Sequence, residues 1–165
     1  MKKMPLLLLA IALVTSAAAA QTPPATLPLL ENLYETMTAR DLKRRALSGI
    51  ARNDNRDAAA IYLIRIIENE KEVELRKSAI SSLGRIAGEK SLGALTNTLD
   101  SDAETEIQKQ AVIAIGRRPR DEAIPILIRT ARSHPKMQVR KVAIQMLGQT
   151  GDERAVAFFR ELLGK

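Results

Sequence analysis

The chain has one histidine, His134, and no cysteine among its 165 residues, so metal and nucleophilic chemistry must be sought from very few side chains. A zinc site needs several His, Cys or carboxylate ligands at set spacing, and an imidazole base needs a nucleophile and an orienting partner. His134 stands alone in a polar stretch before Pro135 and reads as a solvated loop residue. Ser81, Ser82 and Ser101 have no base near them in sequence, and the phosphate-cradling and nucleophile-elbow glycine patterns do not occur. The lack of cysteine excludes a disulfide framework, a thiolate metal site and a cysteine nucleophile. The expectation is a protein with no catalytic residue, no metal and no cofactor.

Cations are the more abundant chemistry. The formal net charge is +7, and Lys43, Arg44, Arg76, Lys77, Lys109, Arg140 and Lys141 recur at matching places along the chain. Such a ladder has two uses. It can pair with carboxylates of neighbouring turns, for which Glu74, Glu89, Glu106, Asp121 and Asp152 are candidates, or it can track phosphates. Aromatics are only 2% of the sequence and there is no Trp, so bases would find little to stack on. Pairing is therefore the preferred reading. Nucleic-acid or other polyanion binding stands as an alternative.

These positions are set by a repeat. Leu75, Ile107 and Val139 are 32 residues apart, as are Ala79, Ala111 and Ala143, and Gly84, Gly116 and Gly148. The segments 75–84, 107–116 and 139–148 are three copies, and 42–51 is a fourth displaced by 33. A period of this size means stacked units that cannot bury an apolar face alone. Leu75, Ala79, Ile80 and Leu83 form one helical stripe, with Ala leaving room for the next helix. Each Gly reads as a left-handed helix stop. In the first copy Ala51 replaces it, so that helix is expected to run further and turn on Asn53-Asp54-Asn55.

A second helix follows in each copy, with Leu92, Leu95 and Leu99 matched by Ile124, Leu127 and Ala131, then Val156, Phe159 and Leu163. Asp152 is placed as an N-cap and Pro125 in a first helical turn. With no period-2 run anywhere, the class is all-α.

The N-terminus differs. Lys2 and Lys3, the apolar run Leu6 to Val14 and Ala18 to Ala20 have the three-part layout of a secretory signal, too short in its apolar part for a membrane span. The reading is a signal peptide over 1–20, cleaved before Gln21, and a periplasmic or secreted product without a membrane span. Residues 21–27 then form an extended leader and 28–41 a capping helix, a half-repeat ahead of units 42–74, 75–106, 107–138 and 139–165.

The repeat resembles the short HEAT-like repeats of phycobilisome-lyase-type proteins, V-R-x-x-A-x-x-x-L-G-x-x-G-D-x-R-A-V. Val139, Arg140, Ala143, Leu147, Gly148, Gly151, Asp152, Arg154, Ala155 and Val156 carry the likeness, which extends over 42–165. It implies a right-handed α-solenoid of about four helical hairpins, with Gly84, Gly116, Gly148, Ala79, Ala111, Ala143, Arg76, Arg140 and Asp152 as structural positions. It also implies that second helices line the concave face. Lys90, Asn97, Glu122, Arg129, Arg154 and Glu161 would then meet a protein or peptide partner. Lyase-like or chaperone activity on a tetrapyrrole is the other function the family suggests. Phe158 and Leu162 give the last helix extra apolar surface, which predicts contact with a partner or a second copy of the chain.

Overall fold

The computed structural model describes residues 26–164. The expected signal peptide and residues 21–25 of the expected leader lie outside the described residues. Thr26 and Leu27, expected at the end of that leader, are already helical.

The described residues form helices α1 (Thr26–Thr36), α2 (Arg40–Ile50), α3 (Arg56–Asn69), α4 (Val73–Leu83), α5 (Glu89–Ser101), α6 (Thr105–Gly116), α7 (Arg120–Ser133), α8 (Met137–Gly148) and α9 (Glu153–Leu162), with no strand among them. Each buries the stripe its sequence dictates. In α4, Leu75, Ala79, Ile80 and Leu83 are all buried, as are Ile107, Ala111, Val112 and Ile115 in α6. One continuous core of Leu, Ile, Val and Ala runs the length of the stack, with Tyr34 and Tyr62 at one end and Phe158 at the other.

Helices pair in a phase that the repeat period does not reveal. The tightly packed hairpins are α1 with α2, α3 with α4, α5 with α6 and α7 with α8, each joined by a three-residue corner (37–39, 70–72, 102–104, 134–136). The expected capping helix 28–41 is thus the first half of a complete hairpin, broken at 37–39. The helix without a hairpin partner among the described residues is α9, which explains its surface. Leu162 and Leu163 are exposed, whereas Thr98, Leu99, Thr130 and Ala131 at the same repeat positions are buried.

The repeat glycines do not stop helices in a left-handed turn. Gly84 has φ −59°, and Gly116 and Gly148 are the last residues of α6 and α8. Positive φ is confined to Gly88, Gly151 and Gly164 among the described residues. The reason for Gly84 and Gly116 is close approach. A Cβ on Gly84 would lie 3.0 Å from the Ala114 Cβ, and one on Gly116 would lie 2.5 Å from the Met146 methyl carbon and 3.2 Å from its Cβ. At Gly84 the added carbon would force Ala114 to give way by a few tenths of an ångström, and at Gly116 it would displace the Met146 side chain. Gly148 meets nothing within 4 Å, because no further helix of this row follows it among the described residues.

Two other local expectations are corrected. α2 does not run on: it ends at Ile50, the place equivalent to Leu83. Its asparagines turn the chain by hydrogen bonding, Asn53 accepting from the Asn55 N–H (3.0 Å) and Asn55 capping α3 through the Ala58 N–H (3.2 Å). Pro125 sits in the second turn of α7, which begins at Arg120, so one backbone bond is forgone inside the helix. Asp152 does cap α9, accepting from the Arg154 N–H at 2.9 Å.

Candidate functional site

The corners between paired helices explain most of the polar side chains. Glu70, Asp102 and His134 occupy one repeat position, each the C-cap of an outer helix with ψ between 133° and 136°. Each accepts the backbone N–H two residues on: Glu70 from Glu72 (3.0 Å), Asp102 from Glu104 (2.9 Å) and His134 Nδ1 from Lys136 (3.2 Å). Each also reaches back one unit. Glu70 accepts the Tyr34 hydroxyl (2.6 Å), Asp102 pairs with Arg76, and His134 Nε2 lies 3.4 Å from the Leu99 carbonyl oxygen. His134 is therefore buried at 7% exposure, a corner residue where a solvated loop residue was expected. Acceptance at Nδ1 puts the neutral ring's proton on Nε2, facing that carbonyl. Burial alone would raise the Glu70 carboxyl, but the Tyr34 hydroxyl and the Glu72 and Lys71 N–H groups hold it below the usual range. Burial and the bond to Glu70 push the Tyr34 phenol up.

Four cations of the ladder at the starts of the inner helices, Arg44, Arg76, Lys77 and Lys109, are paired within the chain. Arg76 donates from Nε to the Ile67 carbonyl (2.9 Å) and pairs with Asp102 and Glu104. At the next unit Gln108 does the corresponding work, donating to the Leu99 carbonyl at 2.9 Å. Both side chains satisfy a carbonyl at the end of the preceding helix. Lys77 pairs with Glu74 (2.9 Å) and Lys109 with Glu106 (2.8 Å), so the pairing expectation holds for these lysines. Arg44 approaches Asp41 at 3.6 Å.

The residues expected to meet a partner are arranged otherwise. α2, α4, α6 and α8 pack directly one on the next, while successive outer helices touch sparsely. In a curved stack the closely spaced row is the inner one, so the concave side belongs to the V-R-x-x-A helices. Lys90, Asn97, Glu122, Arg129, Arg154 and Glu161 lie instead on the splayed outer row. Four are already paired: Glu122 with Arg118 (2.8 Å), Arg129 with Asp100 (3.0 Å), Glu161 with Arg132 (2.7 Å) and Arg154 with both Asp121 (3.0 Å) and Asp152 (2.9 Å). The Arg154 guanidinium and its backbone N–H hold the Asp152 carboxyl down at about 2. The phenylalanines exchange their expected roles. Phe158 is buried at 3%, Phe159 is half-buried, and the two rings pack 5.7 Å apart. Leu162 remains exposed at 56%.

What sequence reading missed is on the inner row. An open hollow of about 550 Å³ spans α2, α4 and α6, lined among others by Arg44, Arg45, Ser48, Ser81, Arg85 and Gln110. Arg52 and Arg85 both donate from Nη2 to the Ser48 hydroxyl, at 3.0 and 3.3 Å. Partial burial, and then the charges of Arg52 and Arg117, lower the Arg85 guanidinium from its ordinary value. The signal was available: Arg52, Arg85 and Arg117 follow the repeat at spacings of 33 and 32. They come after the helix ends, outside the helical stripes that define the repeat.

Stacked helical hairpins with close-approach glycines, one inner row and one outer row define an α-solenoid repeat protein. Residues 92–165 match the family model for HEAT repeats, which supports a HEAT-like repeat family for this stack. No curated protein matches it. Among the described residues there is no cluster of groups able to hold a metal ion, and no helix long and apolar enough to cross a membrane.

Proposed function

We propose that this chain is an exported, non-enzymatic HEAT-repeat scaffold that binds a protein or peptide partner along its inner row of helices. HEAT repeats commonly bind proteins, and a rigid, curved stack presents side chains from several units to one extended ligand. The observation that carries the reading is the open hollow over α2, α4 and α6, a polar concavity shared by three successive inner helices. The outer row offers less, since most of its candidate charges are paired within the chain. Export is supported by the basic start, apolar run and small-residue end of residues 1–20.

Crosslinked capture from the native host's envelope tests this, comparing the unaltered chain with an inner-row variant (Arg45→Ala, Arg85→Ala) and an outer-row variant (Arg129→Ala, Arg154→Ala). The expected result is one partner that is lost with the first variant and retained with the second. The reverse pattern would move the binding surface to the outer helices. N-terminal sequencing of the product should begin at Gln21; a product retaining Met1 in the cytoplasm would remove the export reading.

A further inference from the structure

The proposed partner surface has a definite chemical character. At the C-terminal ends of the inner helices stand Arg52 after α2, Arg85 after α4 and Arg117 after α6, one per unit. All three are exposed, as is Arg45 beside them on α2. No carboxylate pairs with any of the four among the described residues, although twelve ion pairs occur elsewhere in this small molecule. Two of these guanidiniums instead converge on the neutral Ser48 hydroxyl. Like charges brought together around a neutral oxygen repel each other, and an incoming carboxylate would relieve that repulsion while accepting their free N–H groups. At the helix ends the carbonyl dipoles already favour cations there, so the arginines are held in place without an internal anion.

We infer that the inner row binds an acidic, extended peptide segment of the partner, with carboxylates seated on the successive arginines Arg52, Arg85 and Arg117. This rests on the scaffold reading and specifies its partner. The register follows from geometry. Packed helices lie about 8–10 Å apart, and an extended polyproline II chain has about three residues per turn and advances about 3.1 Å per residue, so every third residue of such a peptide lies on one face and meets the next arginine. A nucleic acid fits less well. No residue lining the hollow is aromatic, so bases lack a stacking platform.

The test is fluorescence anisotropy with the full chain and four labelled probes. These are a dodecapeptide with Glu at every third position among Gly and Ser, the same composition with the Glu residues contiguous, a Gln-for-Glu version, and a twelve-nucleotide oligothymidylate. The spaced acidic peptide should bind at least tenfold more tightly than the Gln version and several-fold more tightly than the contiguous one. Arg52→Glu, Arg85→Glu and Arg117→Glu together should cost at least tenfold. Lys90→Glu, Arg120→Glu and Arg160→Glu on the outer row carry the same charge change and should cost under twofold. Far-UV circular dichroism and the urea midpoint of both triple variants establish that each is folded; if the inner triple variant fails that check, the single variant Arg117→Glu, whose side chain has no internal partner, must still weaken binding about threefold. Equal losses from the two rows, or no preference for the acidic peptide over its Gln version, would overturn the inference. Tighter binding of the oligonucleotide would overturn it in favour of nucleic acid. Envelope capture of a partner that does not depend on acidic residues would leave the scaffold reading standing while removing this one.

Discussion

Replacing glycine by alanine at one repeat position should change sign from one unit to another. Helix propensity favours Ala over Gly by about 1 kcal/mol in a helix interior and by less at its end. At Gly148 nothing lies within 4 Å of the added carbon, so Gly148→Ala keeps that gain, about 0.5 kcal/mol. At Gly84 the new Cβ would meet the Ala114 Cβ at 3.0 Å and its Cα and carbonyl oxygen at 3.4 Å. Carbons pack best about 3.5–4.0 Å apart, and neither a methyl nor a backbone atom can rotate away. α6 must retreat from α4 by several tenths of an ångström, and overpacking of this kind costs about 1–3 kcal/mol. The net for Gly84→Ala is a loss of about 1–2 kcal/mol. Urea unfolding followed by circular dichroism reads both, as a lowered midpoint for Gly84→Ala and an unchanged or raised one for Gly148→Ala, with the slope compared to check that the transition stays cooperative. Equal midpoints for the two variants would refute the close-approach argument and return these glycines to a common turn role.

Arg76 and Asp102 have side chains only 12% and 13% exposed, so Arg76→Ala strands a carboxylate and should cost about 3 kcal/mol; a double-mutant cycle with Asp102→Ala should show coupling of about 1–3 kcal/mol, and independent effects would sink the assignment. Glu70 is held below its ordinary value of 4.5, so its contribution is present above that value and disappears as pH falls through the lower folded one. Thermal melts of the unaltered chain should lose stability there, while Glu70→Gln should be less stable at pH 7 and flatter on acidification. Identical acid profiles would argue against the Tyr34 contact. His134→Ala leaves the Lys136 N–H without its acceptor and should cost about 1–2 kcal/mol, whereas His134→Asp, matching Asp102 one unit earlier, should recover most of it; equal losses would mean that ring packing, not the corner bond, is what matters.

Different parts of this molecule were legible in the sequence to different degrees. The 32-residue register and the stripe through Leu75, Ala79, Ile80 and Leu83 specified helices, their faces and a stacked all-α architecture, because burial on a helix demands that periodicity whatever lies opposite. The pairing of Lys77 and Lys109 with acidic neighbours was equally local, being one turn along the same helix. A period has no phase, however. It could not say whether α2 pairs with α3 or with α1, and so which row faces inward, because that depends on the three-residue corners and the angle at which helices cross. The glycines looked like turns and proved to be contacts, since the atoms that exclude a Cβ at Gly84 and Gly116 belong to helices some thirty residues away. His134 looked solvated because its neighbours in sequence are polar, but the Leu99 carbonyl it faces comes from the preceding unit. Sequence alone determined what repeats; only the tertiary structure, by setting the distances between units, decided that Arg52 and Arg85 share the Ser48 hydroxyl and that no carboxylate among the described residues pairs with them.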